Sequence, residues 1–291
     1  MPAEIAAQVV GTHELPGETV FPESIGIDPA TGDAYIGSIA DGTLYRLPAA
    51  GKAEIWGPGG QDGRGSVAGV KVDADGRLWA AGGYDGTLWI YDLASGYLIA
   101  QLEADAKATC VNDIAFAPGG GAYVTDSLIP ALFFADGEPA SLERWADLAA
   151  AGVPWPDGLN FNGIVLTPDR RHLVACQTNL GRFWQIDLAG RGVREVALRG
   201  GPLEHCDGLA ISGSTLYIAV NARNVVAVAR LADDGSSGQV TTLLRSDAFR
   251  FPTAVAVSGS RLLVVNAQLD AMGGHPRLPF TVVEVAAPPG S

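Results

Sequence analysis

Four residues of this 291-residue chain stand where chemistry could be done: Glu23, Asn112, Asn162 and Asp207. Each opens a short apolar stretch: Glu23-Ser-Ile-Gly-Ile, Asn112-Asp-Ile-Ala-Phe, Asn162-Gly-Ile-Val-Leu and Asp207-Gly-Leu-Ala-Ile. Two further stretches of the same form open at Ala68 and Thr253. Two carboxylates and two amides make a set of hard oxygen donors with two formal negative charges. Brought to one point, the carboxylates would repel and raise each other's pKa unless a cation lay between them. Calcium suits such a set best, because it accepts six to eight oxygens at flexible geometry. Magnesium or manganese could replace it, and zinc fits less well without nitrogen or sulfur donors. Taken singly, Asn and Asp also open strands after turns simply because they favour turns, so the inference rests on convergence.

Convergence follows from the spacing. The six openings lie 45, 44, 50, 45 and 46 residues apart. Within each unit a second strand starts 10 to 12 residues later, after a turn rich in Gly, Pro, Asp and Ser, as in Asp73-Ala-Asp-Gly and Pro118-Gly-Gly-Gly. A repeat of that length made of short strands predicts an all-β fold, a six-bladed β-propeller spanning residues 1–291 as one domain. The innermost strand of every blade lines the central channel, so the six opening residues meet at its mouth. The apolar segment 5–11 precedes the first unit and is assigned to the last blade, closing the ring and removing a free sheet edge. The rhythm breaks at residues 140–161, read as an insertion ending in Trp155-Pro-Asp-Gly, and at 267–279, read as a long loop.

Composition narrows the partners. Hydrophobic residues make up 47% and charged residues 18%, as in a globular protein with a large core. The net charge of −13, with no Lys/Arg cluster, argues against nucleic acid and anionic membranes and leaves a small molecule as the expected partner. No apolar run reaches transmembrane length, and the N-terminus lacks the basic and apolar regions of a secretory leader. Cys110, Cys176 and Cys206 fit neither a disulfide framework nor a zinc knuckle, so a reducing cytoplasm is the expected location. A closed ring exposes no edge that demands a partner, which predicts a monomer or weak homo-oligomer.

Glu23 in Phe-Pro-Glu-Ser-Ile, Asn112-Asp113, Asn162-Gly163 and Asp207-Gly208 together resemble the senescence-marker protein/gluconolactonase/luciferin-regenerating enzyme family, with diisopropyl fluorophosphatase and the paraoxonases more distant. The likeness runs blade by blade over essentially the whole chain. It implies a central divalent metal, often calcium, held by Glu23, Asn112, Asn162 and Asp207. It further implies hydrolysis of a lactone or related ester, with Asp207 as base or nucleophile. Two departures stand out. Sugar-lactone members tend to carry Arg where this chain has Cys110, and often Pro where it has Cys206, so aldonolactone specificity is not implied.

Around this set, His205 is the one histidine near an opening residue and an alternative base. Asn112, Cys110, Trp155 and Phe161 are the candidate substrate contacts, with Phe21 and Phe251 as further aromatic walls. The second-strand ends Ser38, Asp126, Gln177 and Asn266, with Asn221, are expected to support the site rather than to react. Metal-dependent hydrolysis leads. Non-hydrolytic chemistry on the same metal (isomerisation, cyclisation or dehydration) and a non-catalytic binding propeller remain as alternatives, because fold does not fix function.

Overall fold

The computed structural model describes residues 2–288, and among them the chain is built from β-strands with three single-turn 3-10 segments. Six sheets follow one another along the chain, each built of antiparallel strands from an inner strand outward, with two parallel strands added at the outer edge of the fifth. The inner strands are Pro22–Ile27, Gly69–Val72, Val111–Phe116, Phe161–Leu166, Cys206–Ser212 and Pro252–Ser258. Each touches the inner strand of the next blade, and the sixth touches the first, so the ring closes. This is the predicted six-bladed propeller.

Apolar residues fall into six clusters, one between each pair of neighbouring blades. Tyr35 and Leu44 of blade 1 meet Val70 and Trp89 of blade 2, for example, and Tyr217 of blade 5 meets Val264 of blade 6. Because the second strands of the blades are packed on both faces, they read as nearly continuous apolar runs; Ala34–Ser38 and Thr215–Val220 are buried throughout. Outer strands such as Leu98–Glu103 are largely exposed.

Ring closure by the N-terminal strand holds, with a shift in register. Val9–Glu14 is the closing strand, pairing antiparallel with Thr281–Ala286 as the outermost strand of blade 6. The earlier residues Ala3–Ala6 form a separate strand, pairing parallel with the outer strand of blade 5. Segment 5–11 thus straddles two elements. Its apolar residues hid the break, because both halves lie on outer blade edges with much exposed surface. The 140–161 segment also divides: Glu143–Asp147 is the fourth strand of blade 3, and only the turns and loop after it are extra. The 267–279 loop carries a 3-10 turn at Leu269–Ala271.

Five of the six inner strands carry a β-bulge at their opening residue. The register slips between Pro22 and Ser24, Val111 and Ile114, Phe161 and Ile164, Cys206 and Leu209, and Pro252 and Ala254. A bulge kinks the strand and re-aims a side chain. Glu23, Asn112, Asn162, Asp207 and Thr253 all sit inside these slips. Blade 2 pairs regularly, and there the opening residue is Ala68.

Candidate metal centre and active site

Glu23, Asn112, Asn162, Asp207, Ala68 and Thr253 line one cavity with contributions from all six inner strands, which places it on the ring axis. The cavity measures about 10 Å3, room for a single ion or water and nothing larger. All four polar candidates are buried, none more than 7% exposed. Two charged residues outside the predicted set share the cavity, Lys71 and Asp113.

Glycine lets the strands come this close. Gly69, Gly163 and Gly208 directly follow opening residues. A Cβ at Gly163 would lie 2.5 Å from the Asp207 carbonyl oxygen, and one at Gly208 would lie 2.7 Å from that of Thr253. At Gly69 it would fall on the Asn112 carbonyl oxygen, deep inside van der Waals contact. In blade 3 the corresponding residue is Asp113, whose Oδ2 accepts from the backbone N–H of Ile164 at 3.1 Å and so ties blades 3 and 4 together.

The donor atoms are oriented from behind. Asn112 donates through Nδ2 to Ser127 Oγ at 2.9 Å, and Ser127 donates in turn to the Phe161 carbonyl at 2.7 Å. That chain leaves Asn112 Oδ1 uncommitted. Asn221 donates to Asp207 Oδ2 at 2.9 Å, while Asp207 Oδ1 is buried with no hydrogen-bond partner. Among the described residues no hydrogen bond reaches the Glu23 carboxylate either.

The charges carry the mark of this enclosure. Burial pushes the Asp207 carboxyl up to about 7, with Asp113 adding to the rise and the amides of Asn221 and Asn162 opposing it. Burial likewise holds Glu23 well above the usual carboxylate range, reinforced by Asp207 and Asp113 and opposed by Lys71. A buried oxygen without a donor, beside a second carboxylate and an unengaged amide oxygen, is a donor set that fits a hard cation. Among the described residues no group of three or more His, Cys, Asp or Glu is arranged for a metal; here two of the four donors are amides, and Asp113 is engaged with Ile164 and Lys71.

A pH dependence follows for the protein without metal. The folded state keeps a proton on Asp207 up to about pH 7, whereas the unfolded chain releases it near 3.8. Between those values the folded state binds more protons at this group, so its contribution to stability is fully present at or below about pH 4 and is lost as pH rises to 7, roughly 4 kcal/mol from three units at 1.36 kcal/mol each. Glu23 contributes with the same sign. Urea titrations in chelator from pH 4 to 8 should show the loss. A flat profile would mean that these carboxylates are not confined as described.

The remaining candidates separate by placement. His205 is exposed, with φ 65° and its backbone N–H bonded to the Thr178 carbonyl. The Cys110 thiol is pushed up to about 12 by burial and by the charges of Asp126 and Glu23, so it stays protonated. Cys176 and Cys206 are likewise free and buried. Phe161 is fully buried between blades 3 and 4, and Phe21 packs on Phe280, so both serve the core and not a substrate wall. Trp155 is half-buried against Phe161 and donates Nε1 to the Leu128 carbonyl. Asp126, Gln177 and Asn266 each hydrogen-bond the segment leading into their own blade's opening residue. Asp126 accepts from Cys110 N–H, Gln177 donates to Asn160, and Asn266 accepts from Arg250 N–H. Ser38 instead caps a turn through Ala40 N–H. What sequence reasoning missed is Ser127 and Lys71; the second was visible as the one charged residue in its ring.

An axial cage of carboxylate and amide oxygens, buried in a six-bladed propeller, defines the class. The sequence profile of the SMP-30/gluconolactonase/LRE-like region matches residues 21–265, and the chain belongs to that family. Among curated protein sequences none matches it. Solved structures that share its fold include the major allergen Mala s 1 of Malassezia sympodialis (TM-score 0.72, 16% identity, 94% of this chain and 95% of that one). Another is the calcium-binding protein regucalcin of Agrobacterium tumefaciens (0.68, 19%, 99% and 97%). A third is virginiamycin B lyase of Staphylococcus aureus (0.64, 12%, 96% and 99%).

Proposed function

We propose that the chain is a metal-dependent hydrolase of a lactone or related ester, acting on a small molecule at the mouth of the channel. The observation that carries this is the buried, unpartnered Asp207 Oδ1 at a cavity the size of one ion that Glu23 also lines. Family membership and the fold shared with a calcium-binding regucalcin support it. Glu23, Asn112, Asn162 and Asp207 would hold the cation, calcium by preference. When bound there, a divalent cation supplies positive charge that polarises a carbonyl oxygen and favours the ionised carboxylates.

The chain's own residues do the rest. Asn221 holds the Asp207 carboxylate through Oδ2 and so fixes its orientation toward the cavity. Water adds to the carbonyl carbon as Asp207 accepts one of its protons. The ring C–O bond then breaks, the proton returns to the departing alkoxide oxygen, and a hydroxy acid results. Substrate has to lie above the 10 Å3 cavity, where Cys110 and Trp155 are the proposed contacts. Three free, buried thiols fit a reducing compartment, and we place the protein in the cytoplasm, as a monomer or weak homo-oligomer.

A panel of lactones and aryl esters, assayed with calcium and with chelator, tests the reading. Hydrolysis of at least one class is expected, lost in chelator and restored by calcium. Metal should also stabilise the fold by about 2.7 kcal/mol at 100 times its dissociation constant. Calcium binding without any hydrolysis would overturn the hydrolase assignment and leave a binding or non-hydrolytic role.

A further inference from the structure

The six inner strands share one register, which allows each position to be read around the ring. Two residues after the opening, every blade is apolar: Ile25, Val70, Ile114, Ile164, Leu209 and Val255. Three residues after it, five blades carry Gly26, Ala115, Val165, Ala210 and Ala256, and blade 2 alone carries a charge, Lys71. One residue after it, the ring reads Ser24, Gly69, Asp113, Gly163, Gly208 and Ala254, and blade 3 alone carries a charge. These two exceptions pair: Lys71 Nζ lies 2.7 Å from Asp113 Oδ1. Both face the axial cavity, and Lys71 also lines the larger apolar vestibule of about 380 Å3 beyond it. Asp113 is 4% exposed, and its second oxygen is held by Ile164 N–H.

We propose that Lys71, acting through Asp113, fixes the net charge that the axial oxygen cage presents to a cation, holding it at a value matched by one divalent ion. Glu23, Asp207 and Asp113 bring three negative charges into one cavity and Lys71 returns one positive, leaving −2. Asp113 is needed where it is to bridge blades 3 and 4, so its charge enters the cage for structural reasons and Lys71 offsets it. The neighbouring positions allow no other cation: the rest of the ring is apolar or too small to reach. Lys71 is therefore a positioning and charge-setting residue, not a ligand. This role rests on the metal reading above, and the experiment separates the two.

Calorimetric calcium titration of the full chain, after chelator treatment, compares wild type with Lys71→Met, Lys71→Gln, Asp113→Asn and Lys71→Met/Asp113→Asn. The two Lys71 variants raise the cage charge to −3 and should bind calcium at least about tenfold more tightly, at interaction energies expected for neighbouring charges near a protein interior. They should also melt earlier than wild type in chelator. Asp113→Asn should bind more weakly, and the double variant should return to within about threefold of wild type, a rescue that a lost packing contact would not give. Lys71→Gln keeps a donor for Asp113 and guards against misfolding of Lys71→Met. Unchanged or weaker binding in both Lys71 variants, with wild type binding normally, overturns this inference alone. No calcium binding by wild type overturns it together with the metal reading.

Discussion

Under the proposed mechanism Asp207→Asn should lower kcat for lactone hydrolysis about 10^3-fold, while His205→Ala should leave it within about threefold. General-base contributions run from about 10^2 to 10^4 in rate, and no second group is placed to substitute: His205 is exposed, and the Cys110 thiol stays protonated. The same variant should act oppositely on stability. The wild-type carboxyl is pushed up to about 7 by burial, so its ionisation destabilises the metal-free fold above that pH. An amide of the same shape has no charge to bury. In chelator at pH 8 Asp207→Asn should therefore be more stable than wild type by up to a few kcal/mol, and at pH 4 the two should converge. Kinetics and denaturant midpoints on one preparation decide the matter. An active Asp207→Asn enzyme would remove Asp207 from the chemistry, and a variant less stable at pH 8 would mean its carboxylate is compensated in the free protein.

Gly69→Ala should damage the whole ring although it adds one methyl group. The added carbon would fall on the carbonyl oxygen of Asn112 in the next blade, and backbone cannot step aside as the tip of a flexible side chain can. Overpacking commonly costs about 1–3 kcal/mol. Here the clash lies between two inner strands that also set the spacing of the donor atoms, so a loss of at least about 3 kcal/mol is expected together with weakened calcium binding. Gly76→Ala is the matched control: it sits in a surface turn with nothing within 4 Å of the added carbon, and its cost should be confined to its φ of 74°. Equal effects of the two substitutions, measured by chemical denaturation, would dismiss the close approach as a determinant.

The ring was legible in the sequence because two signals coincide, a repeat near 45 residues and, in five of the six blades, a polar residue at one register position. Position alone then brought Glu23, Asn112, Asn162 and Asp207 to one axis. The bulges that turn those side chains inward were not legible, since they arise from how two strands pair rather than from residue type. Phe161 shows the converse difficulty. An aromatic beside a donor residue reads equally as pocket wall or core, and only the packing of blade 3 on blade 4 decides for core. Asp126, Gln177 and Asn266 have the polarity of pocket residues, yet all three hold the approach to their own blade's inner strand. Lys71 was readable in principle, as the odd member of a ring of small residues, but recognising it required comparing every position and not only the first.

The sixth blade has a consequence for how the protein is made. Its outermost strand, Val9–Glu14, leaves the ribosome long before its partner Thr281–Ala286, at the opposite end of the propeller's sequence. Until blade 6 has emerged the first blade has no neighbour on one side, and Glu23 cannot be held in register with Asp207. The proposed cation cage, drawn from blades 1, 3, 4 and 5, would therefore come into being only after blade 6 has been made, and a shorter nascent chain would have no competent place to capture metal.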